Sequence, residues 1–393
     1  MSVAVDLPEL TANESAHGHL LTERIRDEVA RSGGWMSFAR FMEMALYEPG
    51  LGYYSAGARK LGAAGDFVTA PEVAPVFSRC LAVQCAEILG SLGGGSVLEL
   101  GAGSGAMAAA MLAEFERLGA LPGRYRILDV SADLRERQRV ALEQAVPHLL
   151  HRVEWLDRLP DEPMNGVIVA NEVLDAMPVE RFVVRGDEVN ALGVTWHFGR
   201  LDWSEVRAPA ALRDRVLGLR HELGAEWPEG YTSELNAGLT PWLAAVARAL
   251  GRGVALFVDY GLPRREYYAP ERSEGTLLCH FRHRFHADPF ARLGLQDITA
   301  WVDFTAVAEA AAAAGLDVAG YTTQAHFLIG NGIAGYVANV ADLDLVQRVN
   351  LSRQAMVLTL PGEMGERFKV IALARDCAAP LAGLSIRDLR HLL

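Results

Sequence analysis

Short apolar runs alternate with amphipathic segments from about residue 96 to the end of the chain. Runs such as SVLEL and GVALFVDY are almost wholly apolar and too short for buried helices, so they predict buried strands. Strands that alternate with helices are typical of a parallel sheet covered on both faces, so we expect an α/β fold with a doubly wound, Rossmann-like sheet of seven strands. The predicted strands are Ser96–Leu100, Tyr125–Val130, Val153–Trp155, Gly166–Asn171, Gly253–Tyr260, Leu316–Thr323 and Phe368–Arg375. The long gap before the last of them predicts that it is an antiparallel edge strand.

The first 92 residues are predicted to form a helical layer ahead of the sheet. We expect a loose tail over residues 1–20, two amphipathic helices over 21–48 that are broken at Gly33-Gly34, and a further helix over Pro71–Leu89. The core strands occupy residues 93–180 and 246–393, separated by a hairpin and helical insertion at 181–245 and interrupted again by a long insertion at 261–303. Long insertions in a compact domain are usually functional.

Charge and composition narrow the classes of partner. A net charge of -12 argues against a nucleic-acid partner, because binding to phosphates needs clustered basic side chains. No lysine or arginine precedes Arg24, which argues against a signal peptide or a mitochondrial presequence. The apolar runs are too short to insert in a membrane, and four cysteines without paired spacing fit a reducing compartment. Arginine far outnumbers lysine, which is typical of a GC-rich bacterial genome, so the bacterial cytoplasm is the expected location.

The strongest local signal is the segment VLELGAGSGAM, in which a buried strand runs through a glycine loop into a helix. Gly101, Gly103 and Gly105 let the backbone turn sharply and let a ligand approach it closely. A methyl donor, a dinucleotide and a purely structural turn are all compatible with this loop. Glu99 favours S-adenosyl-L-methionine, because a carboxylate before the glycines would attract an ammonium group and repel a pyrophosphate. Asp129, at the end of the next strand, is a candidate acceptor for ribose hydroxyls.

Two polar clusters are expected at the same edge of the sheet. Asn171, Glu172 and Asp175 directly follow a buried strand, where they could position a nucleophile or, on the alternative interpretation, cap a helix. Asp66 and Thr69 belong to the segment GDFVTAPE, which could close over a cofactor as a lid or serve as an ordinary turn and helix cap.

A histidine-rich segment, CHFRHRFH at 279–286, has the wrong spacing for a metal site. Its histidines lie three residues apart, and Arg282 and Arg284 between them would repel a cation. We therefore predict no metal and interpret the segment as a substrate or interface loop, or as unspecific surface. The chain has no Walker loop, no HExxH pair and no nucleophile elbow, which excludes phosphoryl-transfer enzymes and common hydrolases.

The ordered set of motifs GDFVTAPE, ELGAGSG, NEVLDA, DYG, GTL and DITAWVDF resembles the MidA family, relatives of a mitochondrial complex I assembly factor that methylates arginine. The resemblance runs from about residue 20 to residue 375. It implies a class I methyltransferase fold and S-adenosyl-L-methionine as the cofactor. By residue matching it implies a cofactor site at Glu99, Gly101, Gly103 and Asp129, with Asp66 and Thr69 nearby. Asn171, Glu172 and Asp175 would face the acceptor.

The acceptor implied by the resemblance is an arginine in a protein, such as a subunit of a respiratory NADH dehydrogenase. One departure concerns this end of the site, because Cys279-His280-Phe281 stands where relatives tend to have an Arg-x-Tyr pattern. A binding protein without turnover and a small-molecule methyltransferase remain alternatives, with an NAD-dependent oxidoreductase a distant third. A homodimer through the hairpin or through residues 261–303 is a further hypothesis.

Overall fold

The N-terminal part of the chain forms a helical layer in the computed structural model, which describes residues 7–56, 69–129, 131–338 and 344–393. Its elements are α1 Ala12–Arg31, β1 Met36–Ser37, α2 Phe38–Tyr47, α3 Ala70–Val73 and α4 Pro75–Leu92. The break at Gly33-Gly34 is confirmed, and both glycines have positive φ. The prediction of a loose tail over residues 1–20 is wrong from Ala12 onwards, where α1 begins, whereas residues 7–11 form no helix or strand. Thr11 and Glu14 form a capping box that starts α1 at Ala12. The sequence contains the corresponding pattern, a threonine followed three residues later by a glutamate.

The single helix predicted over Pro71–Leu89 is also wrong. The chain forms α3 and then α4, with Ala74 extended between them at φ -159° and ψ 137°. Pro75 causes the break, because proline lacks an N–H group and disfavours a helical conformation in the residue before it. The interruption leaves Ala70–Val73 as a separate turn of helix.

The first half of the core follows the predicted alternation closely. Its elements are β2 Ser96–Leu100, α5 Ala106–Arg117, β3 Tyr125–Leu128, α6 Ala132–Ala145, the 3-10 helix Pro147–Arg152, β4 Val153–Leu156 and β5 Met164–Asn171. Alternate residues of the strands face opposite layers. Val97 and Val167 belong to the hydrophobic cluster on one face of the sheet, and Leu98 and Ile168 to the cluster on the other. Burial of both faces explains why these strands are continuous apolar runs.

The hairpins expected between Arg181 and Arg207 are confirmed. This region comprises β6 Glu180–Arg185, β7 Glu188–His197, β8 Arg200–Arg207, α7 Ala210–Leu223, β9 Thr232–Leu235 and α8 Leu239–Ala249. Its strands form an antiparallel sheet that β1 of the N-terminal layer joins, with Met36 opposite Val194. Buried side chains of α1 and α2 pack on this sheet and on residues of the later insertion. The N-terminal layer thus covers both insertions.

The rest of the chain completes the core sheet. The elements are β10 Leu250–Leu262, α9 Arg264–Tyr267, β11 Leu278–Phe281, β12 Arg284–His286, β13 Asp297–Thr299, β14 Val302–Asp303, α10 Phe304–Ala313, β15 Asp317–Thr323, α11 Gln324–Gly330, α12 Ile333–Ala338, α13 Leu345–Thr359, α14 Met364–Arg367, β16 Phe368–Arg375, α15 Ala382–Ser385 and the 3-10 helix Arg390–Leu392. Seven core strands run in the order β15, β16, β10, β5, β2, β3, β4, and the two-residue β14 joins the sheet as an eighth strand beside β10. This is the expected doubly wound α/β sheet.

The last strand, β16, is antiparallel as predicted, but it is not an edge. It pairs with β10 on one side and with β15 on the other, and seven of its eight residues are buried. Six of its eight residues are apolar, which fits this internal position better than an edge. On the other side of β10, strands β5 and β2 lie next to each other. Within this sheet, the chain continues from β2 to β3 and from β5 to β10, which lie towards opposite edges. In open α/β sheets ligands bind at this switch point, beyond the carboxyl ends of the strands.

Candidate active site

A cleft opens at the switch point between the ends of β2 and β5. It brings together residues from distant segments of the chain, including most of those proposed from the sequence. The lining comprises Tyr54, Thr69, Pro71, Glu72, Glu99, Gly101, Ala102, Gly103, Ser104, Ala106, Met107, Asn171, Glu172, Asp175 and Asp297. Gly105 and Asp129 do not line it, and Asp66 lies outside the described residues. The glycine loop and the acids after β5 therefore face one cleft.

Positive φ angles shape the loop between β2 and α5. Gly101, Gly103 and Gly105 have φ angles of 67°, 54° and 86°, a region that residues with a Cβ rarely adopt. Close packing adds a second constraint at Gly105, where a Cβ would lie 2.9 Å from the Cα of Gln138. Gly105 thus fixes how α5 starts against α6, while Gly101 and Gly103 present backbone to the cleft. The start of α5 also directs backbone N–H groups and a partial positive charge towards it.

Glu99 is a fully buried carboxyl group in the wall of the cleft. Its Oε2 accepts a hydrogen bond of 2.5 Å from the Tyr125 hydroxyl, and its Oε1 has no hydrogen-bond partner in the described parts of the chain. Burial raises the pKa of Glu99 to about 7, and the hydrogen bond from Tyr125 opposes part of that rise. A buried acceptor oxygen without a donor, beside exposed loop backbone, fits the ammonium group of an amino-acid moiety.

Asp129 holds the neighbouring strand end and the loop together. Its Oδ1 accepts from the Ser131 N–H at 3.0 Å, and its Oδ2 accepts from Gln138 Nε2 at 2.8 Å. Gln138 Nε2 also donates to the carbonyl of Gly103 at 3.1 Å. Burial raises the pKa of Asp129, and these donors lower it in part. Gln138, which the sequence did not single out, therefore couples Asp129 to the glycine loop.

The short helix α3 closes one side of the cleft. Thr69 precedes it without a side-chain cap, and Glu72 accepts a hydrogen bond from the Ser104 hydroxyl of the glycine loop. The Ala70 N–H donates to Glu172 Oε1 at 3.4 Å. This segment therefore contacts both the glycine loop and the acids that follow β5.

The residues after β5 form a polar cluster in which Asn171 and Asp175 are buried and Glu172 is half-buried. Asn171 Nδ2 donates to Glu172 Oε1 at 3.0 Å, and Glu172 has a positive φ of 55°, which is uncommon for a residue with a side chain. Asp175 is buried, and its Oδ1 has no hydrogen-bond partner among the residues described. Burial raises the pKa of Glu172 to about 8, with the charge of Asp175 adding to it, and burial also raises the pKa of Asp175. The cleft thus holds carboxyl groups that can exchange a proton near neutral pH.

Further residues that the sequence did not assign to the site shape this end of it. Asp259 Oδ2 accepts from the N–H groups of Leu174 and Asp175, at 2.9 and 3.3 Å, and so holds the loop after β5. The Tyr54 hydroxyl donates to Asp297 Oδ2 at 3.0 Å, and both residues line the cleft. Asp259 and Asp297 belong to the motifs DYG and DITAWVDF, so the motif set was the sequence feature that indicated these two residues.

Comparison with known proteins agrees with this geometry. Residues 80–322 match a family model described as S-adenosyl-L-methionine-dependent methyltransferase. The chain belongs to this methyltransferase family. The crystal structure of a Burkholderia thailandensis protein bound to S-adenosyl-homocysteine has 41% sequence identity and a TM-score of 0.94, over 99% of this chain and 100% of that one. The cofactor of the methyltransferase is therefore S-adenosyl-L-methionine, and its sheet is that of a class I methyltransferase.

Mitochondrial relatives are similar over most of their length. The zebrafish (Danio rerio) protein arginine methyltransferase NDUFAF7 is 28% identical, over 92% of this chain and 87% of its own. The Drosophila melanogaster homologue is 26% identical, over 93% and 87%. These matches confirm the resemblance to the MidA family that the motifs indicated.

The remaining predictions concern metals, membranes and the histidine-rich segment. Among the described residues, no group of three His, Cys, Asp or Glu side chains is arranged to hold a metal ion. No helix in the described ranges is both long and apolar enough to cross a membrane. The histidine-rich segment forms β11 and β12, and Cys279 in β11 is buried in the core beneath the N-terminal layer.

Proposed function

We propose that this methyltransferase transfers a methyl group to an arginine nitrogen of a protein. The observation that supports the proposal is the position of Asn171, Glu172 and Asp175, which line the same cleft as Glu99 and the glycine loop. Buried carboxyl groups suit a guanidinium, which can form paired, charge-assisted hydrogen bonds with them. The relatives named as protein arginine methyltransferases add support.

The chain would hold S-adenosyl-L-methionine through the residues around the glycine loop. Glu99 Oε1 would accept from the ammonium group, and the backbone at Gly101 and Gly103 would approach the ligand without a Cβ in the way. Gly105 would act by setting the start of α5, and Asp129 would accept from ribose hydroxyls while holding the loop through Gln138. Thr69 would close the cleft above the cofactor. The cofactor supplies the methyl group already activated as a sulfonium, so the protein contributes placement and electrostatics.

At the acceptor end, the side chains after β5 would orient the guanidinium and receive its proton. Glu172 carries a proton at pH 7 because its pKa is about 8, and an approaching guanidinium would favour its ionised form. Asp175 Oδ1 is buried without a donor in the described structure, so it can accept the proton that the arginine nitrogen loses. Asn171 would hold Glu172 in position through the hydrogen bond between their side chains.

Labelled methyl transfer tests the proposal. The wild-type protein, with radiolabelled S-adenosyl-L-methionine, should label arginine in a mixture of arginine-containing proteins or peptides. Glu172→Gln should lower turnover at least tenfold while the affinity for S-adenosyl-homocysteine changes little. Glu180→Gln is a matched control, because Glu180 is a half-buried glutamate with a raised pKa that does not line the cleft.

Each alternative has its own outcome. Label confined to the low-mass fraction would identify a small-molecule acceptor instead of a protein. Label that never leaves the cofactor, despite binding of S-adenosyl-homocysteine, would identify a binding protein without turnover. A respiratory NADH dehydrogenase subunit as acceptor, and a homodimer, remain predictions from the sequence.

A further inference from the structure

A cavity of about 270 Å³ adjoins the cleft on the far side of the loop that follows β5. Leu174 lines this cavity, and the next residue, Asp175, lines the cleft, so the loop after β5 contributes consecutive residues to the two sites. On the same side, the ring of Trp301 in the cavity wall packs edge-on against Tyr260, the neighbour of Asp259. The cavity is therefore next to the proposed acceptor end of the cleft, and its described lining contains no residue of the glycine loop.

Much of the cavity wall is apolar and aromatic. Leu219 from α7, Leu235 from β9 and Leu239 from α8 line it together with Leu174. The buried rings of Tyr267 and Tyr268 extend this wall. A surface of this kind packs well against the methylene groups of a long side chain.

The polar part of the lining is acidic. Arg264 is buried and hydrogen-bonded to Glu222, Asp303 and Glu309, so three carboxylates surround one guanidinium. Glu222 and Glu309 keep 52% and 59% of their side-chain surface exposed, which places negative charge where solvent enters. Arg215, an exposed residue of α7, is the remaining basic residue of the described lining and does not balance this excess.

An unsatisfied acceptor completes the site. Asn236 lines the cavity, and its Oδ1 is buried without a hydrogen-bond partner in the residues described. A buried acceptor oxygen in a cavity wall calls for a donor. Glu234 is fully buried, and its two oxygens already accept hydrogen bonds from Arg181 and from the N–H of Thr276. It therefore does not compete with Asn236 for a donor in the cavity.

We propose that this cavity receives a lysine or arginine side chain of the acceptor protein, close in sequence to the arginine that is methylated. The inference rests on the proposed function. The acidic mouth would attract the basic side chain, the apolar wall would take its methylene stem, and Asn236 Oδ1 would accept a hydrogen bond from its charged head. In an extended segment, side chains two residues apart are about 7 Å apart on one face, which suits two sites lined by consecutive residues of one loop.

Gly218 allows the cavity to be blocked without touching its chemistry. It lies on the exposed side of α7 and lines the cavity, and a Cβ at this position would meet nothing within 4 Å. Gly218→Trp should therefore fill the cavity mouth without backbone strain. Gly218→Ala is the matched control, because it makes the same change to the helix backbone and leaves the cavity open.

The probes are synthetic peptides with one arginine, flanked within three residues on either side by lysine, alanine or glutamate. Binding is measured by calorimetry to the protein saturated with S-adenosyl-homocysteine, and KM is measured with radiolabelled methyl donor. The wild type and Gly218→Ala should bind lysine-flanked peptides about tenfold more tightly than alanine-flanked ones. Gly218→Trp should lose this preference, with the affinity for alanine-flanked peptides and for S-adenosyl-homocysteine unchanged.

The two proposals fail in different ways. Equal affinity of the wild type for lysine- and alanine-flanked peptides, or a preference that survives in Gly218→Trp, would overturn the assignment of the cavity. Absence of methyl transfer to any arginine peptide would count against the proposed acceptor. The binding titration would still decide whether the cavity selects basic side chains, because it requires no turnover.

Discussion

The Tyr125 hydroxyl donates to Glu99 Oε2 at 2.5 Å, and Oε1 of the same carboxyl group, in the lining of the cleft, has no hydrogen-bond partner among the residues described. This hydrogen bond favours the ionised form of Glu99, whereas burial favours the neutral form. Because the resulting pKa is about 7, Glu99 changes its charge within the pH range of ordinary binding assays. The charge of Glu99 should therefore control cofactor affinity near neutral pH.

We expect the affinity for S-adenosyl-homocysteine to weaken as the pH falls below 7. A protonated Glu99 offers no charge to an ammonium group, so the dissociation constant should rise by up to about tenfold per pH unit in this range. Glu99→Gln should bind weakly at every pH, with a flat profile. Tyr125→Phe removes the group that lowers the pKa of Glu99, so its profile should shift to higher pH. Calorimetric titrations from pH 5.5 to 8.5 measure all three, and a steep profile in Glu99→Gln would rule out this role.

The two ends of α5 offer a matched test of the glycine loop. Gly105, before α5, has φ 86°, and an added Cβ would lie 2.9 Å from the Cα of Gln138. Gly119, after α5, has φ 65°, but an added Cβ would meet nothing within 4 Å. Alanine at either position costs about 1 kcal/mol or more in backbone strain, so the difference between the variants isolates the close approach to α6.

Gly105→Ala should displace Gln138 and, with it, the hydrogen bonds to Gly103 and Asp129. We expect its affinity for S-adenosyl-homocysteine to fall at least tenfold, while Gly119→Ala binds as the wild type does. Calorimetry gives the affinities, and thermal denaturation of both variants controls for loss of fold. Equal binding by the two variants would show that the packing of Gly105 on α6 does not shape the cofactor site.

Local patterns predicted the core sheet well because each of its strands carries its own signal. An apolar run between polar turns predicts β2 or β5 independently of the rest of the chain. The glycine loop is predicted in the same way, because it follows β2 directly. The same patterns located Asn171, Glu172 and Asp175, since parallel strands end at one edge of the sheet. The predicted tail was wrong because the capping box of Thr11 starts a helix there. The single helix predicted after Pro71 was wrong because Pro75 interrupts the helical pattern.

Contacts between remote segments were harder to predict. Tyr54 and Asp297 are far apart in the sequence, and only the packing of the N-terminal layer on the insertion brings them to one cleft. The internal position of β16 depends in the same way on pairing with β15, because periodicity reports burial but not neighbours. The cavity beside the cleft is formed by α7, α9 and α10 together, so no segment alone predicts it.

The stability of the ligand-free protein should fall as the pH rises from 6.5 to 8.5. In the unfolded chain Glu99 and Glu172 are already ionised in this range, whereas in the folded protein their pKa values are about 7 and 8. The folded state therefore loses protons that the unfolded state does not hold, and folding becomes less favourable. Buried His280, with a pKa lowered to about 4, destabilises the fold only at lower pH, where the unfolded chain binds its proton.

Thermal denaturation of the ligand-free protein across this range measures the effect. For the fully buried Glu99, a pKa raised from 4.5 to about 7 corresponds to about 3 kcal/mol in total, of which roughly 1 kcal/mol is lost between pH 6.5 and 8.5. Glu99→Gln and Glu172→Gln should each have a smaller loss of Tm between pH 6.5 and 8.5 than the wild type. A Tm that is constant or rises over this interval in the wild type would show that these groups are ionised in the folded protein.

The hydrogen bond between Tyr54 and Asp297 should matter for the acceptor and not for the cofactor. It joins the N-terminal layer to the 261–303 insertion at the end of the cleft where Glu172 and Asp175 lie. Tyr54→Phe removes a donor to a buried carboxyl group, a loss of about 1–3 kcal/mol, and lets that wall of the cleft move. We expect kcat/KM for an arginine peptide to fall about tenfold, with the affinity for S-adenosyl-homocysteine unchanged.

Tyr321→Phe is the matched control, since the Tyr321 hydroxyl is buried in β15 without a hydrogen-bond partner among the described residues. Its removal should leave kcat/KM unchanged and should not lower Tm. Steady-state kinetics on both variants separate the loss of the hydrogen bond to Asp297 from the general effect of removing a buried hydroxyl, because only Tyr54→Phe loses that bond. If Tyr54→Phe weakened cofactor binding as strongly as acceptor turnover, the Tyr54–Asp297 pair would belong to the cofactor end of the cleft, and the acceptor would have to approach from elsewhere.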